Sequence, residues 1–324
     1  MTDLKNRSEI LFLYDIQNAN PNGDPNDENK PRIDEETGRN IVTDVRLKRT
    51  IRDHLMNFKN QEIFVREIAD KEGKIQDAKT RASDFLTKDK LVLDKMKFQE
   101  QRDYISKSIL DKCIDVRLFG ATIPLDLKVN NKNIKSSITF TGPVQFKMGK
   151  SLHSVKIQHI KGTGAFASKA GATQKTFREE YILPYSLIAF CGVINENAAK
   201  YTNLKETDII LLKDAIWNGT KGLISRSKFG QMPRLLLIIN YNLPNFFIGD
   251  LDNLIELEKG ELRDEELRKP EDFKVELGAL LEKIESNSDK IENIEFITDG
   301  RMRYIKNGKF ISPSELDKLT EISL

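Results

Sequence analysis

Cysteine, tryptophan and histidine are scarce in this chain of 324 residues, which has two, one and three of them. Cys113 and Cys191 are too few for a disulfide framework or a four-cysteine zinc site. Of His54, His153 and His159, the last two share a face on a regular strand. Six residues of extended chain span about 20 Å, too far for one metal ion. The apolar runs are strand-sized, such as residues 235–239 (LLLII), and none approaches the ~18 residues of a membrane span. Residues 1–9 are charged and lack the apolar stretch of a secretory signal. There is no P-loop, no G-x-S-x-G and no H-E-x-x-H. The expectation is a cytoplasmic protein with no membrane contact, no bound metal and no cofactor.

What is present suits a folded chain with a real core. Hydrophobic residues make up 39% and charged residues 31%, which argues against wholesale disorder. Length alone suggests one large or two small domains. The net charge of +2 conceals a division. Residues 114–240 hold 18 Lys and Arg against 8 Asp and Glu, a net of +10. Residues 241–324 hold 12 against 20, a net of −8. A basic middle and an acidic end suggest one surface for a polyanion and one for something else, such as a neighbouring copy's basic region.

Residues 8–17 read as a strand with both faces apolar. Residues 18–27 (NANPNGDPND) are turn chemistry, and the loop runs on to about Ile41. Thr43 or Asp44 then caps a helix whose stripe is Leu47, Ile51, Leu55 and Phe58. Residues 59–113 look helical and charged. Residues 113–119 (CIDVRLF) read as a short strand, as do 137–146, 155–160, 181–193 and 235–241. Residues 161–176 are small, Gly-rich and basic. A short helix is expected at 208–217, an acidic helix at 271–286, and a hairpin over 296–310 turning at Lys306-Asn307-Gly308. The order of elements fits an α+β, ferredoxin-like βαββαβ sheet.

Three basic elements stand out. The helix carries Arg46, Lys48, Arg49 and Arg52, four cations in seven residues near the helix start, where the dipole disfavours them and no carboxylate is expected four residues on. The Gly-rich segment carries Lys161, Lys169, Lys175 and Arg178. The third is Ser225-Arg226-Ser227-Lys228-Phe229-Gly230, whose hydroxyls, cations and backbone N–H groups suit phosphate oxygens. Brought together on one sheet, they would make a groove for single-stranded nucleic acid. Asp15 and Asp24 stand where a catalytic carboxylate could, although Asp24 also reads as a simple turn former.

Residues 12–25 (FLYDIQNANPNGDP), 31–34 (PRID), 42–53 (VTDVRLKRTIRD), 115–120 (DVRLFG), 142–155 (GPVQFKMGKSLHSV), 171–174 (GATQ) and 226–236 resemble, in order, the backbone subunit of type I CRISPR Cascade complexes. The similarity is to the I-B/I-C branch of that RAMP-superfamily group and spans about residues 8–241.

The resemblance implies an RRM-like palm (residues 1–58 and 114–241), a helical finger insertion (59–113), a Gly-rich hairpin thumb (about 155–180) and an acidic extension packed on the palm (242–324). It implies a non-catalytic subunit that stacks with copies of itself along CRISPR RNA, beside other Cascade subunits, so that spacer bases pair with target DNA. The implied RNA-binding residues are Arg46, Lys48, Arg49, Arg52, Lys161, Phe166, Lys169, Thr173, Gln174, Lys175, Ser225, Arg226 and Lys228. Phe166 is either a buried anchor or a wedge against bases. Related type III subunits cut RNA with a loop Asp, a role the N-P-N-G-D-P loop gives no reason to assign to Asp24. The rival readings are a metal-independent endoribonuclease that processes precursor CRISPR RNA through His54 or Tyr14, and a monomeric single-strand RNA-binding module.

Overall fold

The doubly apolar stretch at the start of the chain forms β1 (Ser8–Ala19), buried on both faces as far as Ile16. The computed structural model describes residues 4–69, 72–87, 92, 96–129, 132–167, 175–312 and 319–322. After β1 come β2 (Gly23–Asp24), β3 (Lys30–Pro31), β4 (Arg39–Val42), α1 (Asp44–Lys59), α2 (Ala78–Ser83), α3 (Phe98–Lys112) and α4 (Ile114–Phe119). Then follow β5 (Gly120–Val129), β6 (Lys132–Thr141), β7 (Val144–Phe146), β8 (Gly149–Ser154), β9 (Gln158–Ala167), β10 (Lys175–Ile194), α5 (Glu196–Thr202), α6 (Glu206–Lys221) and β11 (Met232–Tyr241). The chain finishes with β12 (Glu256–Glu258), β13 (Lys274–Glu276), α7 (Gly278–Glu285), β14 (Ile291–Thr298), β15 (Tyr304–Lys306), β16 (Lys309–Ile311) and β17 (Leu319–Glu321).

The fold is mixed α+β. Its main sheet has the order β17-β14-β11-β1-β10-β8-β4, with β7 and β9 also paired to β10. In the central run β11, β1, β10 and β8, each strand is antiparallel to its neighbour. Ile10, Phe12, Tyr14 and Ile16 of β1 face Leu47, Ile51 and Leu55 of α1 and Leu212 and Ile216 of α6. Leu11 and Leu13, on the other face, lie under Leu251, Phe273, Leu280 and Tyr304 from the C-terminal region. Neither face of the centre of this sheet is open. Open surface around this sheet is therefore found at its strand ends and in its loops.

The segment after α1 has a core of its own, from Phe64, Phe85, Ile105, Ile109 and Val116 to Ile123, Leu125 and Ile138. It does not stop at residue 113. The β5–β6 hairpin forms a separate two-stranded sheet over it. The two ends of the hairpin pass through one tight crossing. A Cβ on Gly120, at φ +69°, would lie 2.1 Å from the Phe140 carbonyl oxygen, and one on Gly142 would lie 2.0 Å from the Phe119 carbonyl carbon. Only glycine fits either place.

Several expected elements differ. Residues 114–119 form a helix, α4, not a strand. Their apolar–polar alternation comes from two polar side chains that are buried, not from a wet face. Asp115 accepts the Phe64 and Val65 N–H groups, and Arg117 makes a two-pronged pair with Asp208 at 2.8 Å. The strand expected at 137–146 breaks at Gly142-Pro143 between two sheets, and of that expected at 155–160 only residues 158–160 are strand, at the start of β9. The acidic helix at 271–286 is reduced to α7, because Lys274–Glu276 forms β13 instead. The turn at Asn307-Gly308 joins β15 to β16, while β14 is claimed by β11. Phe58 leaves the α1 stripe and is 67% exposed.

His153 sits in this core as a neutral ring. It contacts the Ser154 carbonyl through Nδ1 at 2.9 Å and accepts the Leu187 N–H on Nε2 at 3.2 Å. Burial pushes its pKa down to about 4. The unfolded chain takes up this proton near pH 6.5 and the folded chain only near 4. The stability it contributes is therefore present above pH 6.5 and lost as pH falls toward 4. Melting curves between pH 7 and 4.5 should fall less steeply for His153→Gln than for the unsubstituted protein.

Candidate nucleic-acid interface

The turn-forming loop fixes the start of α1. Asn22 Oδ1 accepts both the N–H and the hydroxyl of Thr43, each at 2.9 Å. Thr43 in turn caps the helix by accepting the Arg46 N–H at 3.2 Å. Of the four helix cations, three are paired. Lys48 meets Asp44 at 2.9 Å, Arg49 meets Asp53 at 2.8 Å, and Arg52 meets the fully buried Asp115 at 3.0 Å. The expectation of no carboxylate four residues on is wrong for Arg49, whose partner is Asp53. It holds for Arg46, which instead donates to the Thr50 hydroxyl at 3.0 Å. Burial pushes the pKa of Arg46 down, and its Nε has no partner.

The 225–230 loop brings the second cation. The N–H groups of Lys228 and Phe229 both donate to the Ser225 carbonyl, at 3.1 and 2.8 Å. The Asn20 N–H donates to the Ser227 carbonyl, and Lys228 Nζ donates to the Asn20 carbonyl at 2.9 Å. Gly230 closes the turn at φ +91°. Lys228 is half-buried, and its pKa is pushed down to about 8 by burial and then by the charge of Arg46. Among the described residues, neither Arg46 nor Lys228 has a carboxylate within 4 Å. Two partly desolvated cations repel each other here, and the loop ends at a further buried donor without a partner, Gln231 Nε2. Such a site is poised for an anion.

The Gly-rich basic segment is tied down where it is described. β9 and β10 pair as antiparallel arms from Gln158 and Ile182 outward. Lys161 meets Glu179 at 3.1 Å, and Arg226 meets Glu180. His159 stacks on Tyr181 with ring centres 4.6 Å apart, and the Tyr181 hydroxyl donates to Glu28 at 2.8 Å. The arms are thus anchored to the 18–30 loop and to the 225–230 loop. Ser225 is exposed beside them. Only the main chain of Phe166 and Lys175 is described, in β9 and β10, and Lys169, Thr173 and Gln174 lie outside the described residues. Glu180→Gln should free Arg226 for phosphate and tighten single-stranded RNA binding by about two- to five-fold, the worth of an exposed ion pair. Titration at fixed salt would measure it, and unchanged or weaker binding would count against a phosphate role for Arg226.

The residues considered for chemistry are engaged elsewhere. Tyr14 is buried between Phe12 and Phe190, and burial pushes its pKa up. His54 lies buried with Nε2 at 2.8 Å from Asp214. Asp15 is buried against Arg234 at 2.9 Å and the Tyr185 hydroxyl at 2.9 Å. Asp24 caps the Asn26 N–H and pairs with Arg32 at 2.7 Å. Among the described residues no group of three His, Cys, Asp or Glu side chains is placed to hold a metal ion. The sequence reading missed Asn20, Asn22 and Gln231 as parts of the site. The asparagines stand in the N-A-N-P-N turn, where they read as loop formers.

A family model described as "CRISPR-associated protein Cas7" matches residues 6–278. A CRISPR-associated protein Cas7 of Haloferax volcanii is 36% identical over 315 residues, 93% of this chain and 89% of that protein. Among solved structures, a chain of a "CRISPR RNA-guided surveillance complex, pre-nicking" superposes with a TM-score of 0.56 at 12% identity, over 98% of this chain and 96% of that one. A chain of a "CRISPR RNA-guided surveillance complex" gives 0.50 at 12% identity, over 94% and 90%. At that identity the structural likeness is one of fold.

Proposed function

Because the chain belongs to the Cas7 family of CRISPR-associated proteins, we propose that it is the repeated, CRISPR RNA-binding backbone subunit of a type I surveillance complex, of I-B-like subtype. Copies stack head to tail along the guide beside other subunits of the complex. Each holds the guide's phosphates, and the exposed bases pair with target DNA. The protein reads shape and charge, and base pairing reads sequence.

The observation that carries this reading is the Arg46–Lys228 pair. It consists of two half-buried cations without a carboxylate, brought together by α1, the 18–30 loop and the 225–230 loop. In this reading β1, α1, β8, β10, α6 and β11 are an RRM-like palm, the segment with its own core is the fingers, and β9 with the first part of β10 is the thumb. The thumb closes over the guide on the adjacent copy. The acidic region after Tyr241 faces a neighbour's basic palm.

The test is the nucleic acid that co-purifies with the native protein. A discrete RNA of uniform length, protected in multiples of a fixed unit, is expected. Heterogeneous fragments without periodicity would favour a monomeric RNA-binding module. The subunit performs no chemistry on the guide: labelled RNA and DNA should remain intact with Mg²⁺ or Mn²⁺, and cleavage abolished by His54→Ala would reverse this.

Lys228 also gives the binding a pH signature. A phosphate beside it favours the charged ammonium, so its pKa is higher in the complex than the value near 8 of the free protein. Affinity should be level below pH 8 and fall above it, by up to about tenfold per pH unit. A profile level through pH 9 would remove Lys228 from the site.

A further inference from the structure

We propose that Phe229 is a stacking platform for one base of the bound strand, beside the phosphate held by Arg46 and Lys228; this rests on the RNA-binding reading above and deepens it. The ring is 66% exposed. Among the described residues it has neither an aromatic ring nor a cation packed on its face. A single exposed apolar side chain would by itself mean little. This one is distinguished by where it is held.

Its own N–H donates to the Ser225 carbonyl at 2.8 Å, and the turn is tied from outside by the Asn20 N–H on the Ser227 carbonyl, also at 2.8 Å. Lys228, the preceding residue, is fastened to the Asn20 carbonyl. Gly230, the following one, turns away at φ +91° with nothing within 4 Å of where a Cβ would stand. A large aromatic is thus kept in solvent by a fixed turn, one residue from an ammonium that lacks a carboxylate.

In a single strand, each phosphate has a base one sugar away. A strand whose phosphate meets Lys228 and Arg46 offers a base to the neighbouring ring. Every base has a π-face, so such a contact is tolerant of sequence. That suits a protein whose strand must be free to carry any sequence.

The experiment uses the full chain and a short RNA that one copy can hold, alongside an abasic strand of the same length. Phe229→Ala should weaken binding of the RNA about 5- to 150-fold, the usual worth of one stacked base, and leave binding of the abasic strand unchanged. Phe229→Leu, which keeps bulk and loses the π-face, should behave like Phe229→Ala. Phe229→Trp should keep affinity and report directly. The only natural tryptophan, Trp217, is buried at 8% exposure, so quenching by RNA but not by the abasic strand would come from position 229.

Equal effects on the two strands, or an unquenched Phe229→Trp that still binds RNA, would overturn the platform and leave the phosphate site standing. Loss of assembly on long RNA with unchanged affinity for the short one would make Phe229 a contact between copies and overturn the platform likewise. An unsubstituted protein that binds neither strand would overturn both readings.

Discussion

Arg46→Ala combined with Lys228→Ala is expected to weaken RNA binding about 10²- to 10⁴-fold. Each substitution removes one charge-assisted phosphate contact, worth ~1.5–3 kcal/mol. The salt dependence should fall with it: the slope of log K against log salt should flatten by about 1.4, at ~0.7 per lost contact on a single strand. The same pair of substitutions should not weaken the fold. Burial pushes the pKa of both Arg46 and Lys228 down, and the charge of Arg46 pushes that of Lys228 down further. Removing them relieves repulsion, so thermal stability should be equal or higher, a site kept for function at a cost in stability. Arg49→Ala is the control, since Arg49 is half-exposed and already held by Asp53; it should reduce affinity far less. A folded double variant with an unchanged salt slope would dismiss the site.

The second large effect is structural. Asp115→Ala is expected to destabilise the protein by about 3–5 kcal/mol, the usual result of removing one partner of a buried ion pair. Asp115 is wholly buried and accepts three donors: the Phe64 and Val65 N–H groups at 2.8 and 3.0 Å and Arg52 Nε at 3.0 Å. Alanine would leave two backbone donors unmet and a half-buried guanidinium without its counter-ion. These contacts join α1 to α4 and to residues 64 and 65, so the damage should begin there. Protease should cut residues 59–141 of the variant at temperatures where the parent is resistant. Asp115→Asn keeps an acceptor and should lie between the two. A change below ~1 kcal/mol would mean that the neighbouring Arg117–Asp208 pair carries this junction alone.

The motif D-V-R-L-F-G was visible in the sequence, but its meaning was not. Asp115 and Arg117 alternate with apolar residues as the wet face of a strand would. They are instead the buried polar groups of α4, satisfied by partners at residues 64, 65 and 208. The Lys and Arg content of α1 was equally visible. Which cation is available was not, because Asp115, 63 residues further on, claims Arg52, just as Glu180 claims Arg226.

What the sequence determined by itself is what local pattern governs. The doubly apolar strand β1, the Leu47–Ile51–Leu55 stripe of α1 with a cap at Thr43 or Asp44, the Asn-Gly turn at 307–308 and the mixed α+β class all follow from backbone sterics and short-range hydrogen bonding. The ordered motifs carried the family resemblance in the same local way. The tertiary structure alone decided which elements cover the two faces of the main sheet, that 114–119 coils as a helix, and that Arg46 and Lys228 stand together without a carboxylate within 4 Å. Charge interaction and desolvation depend on distance in space and on what has been buried, and neither is set by distance along the chain.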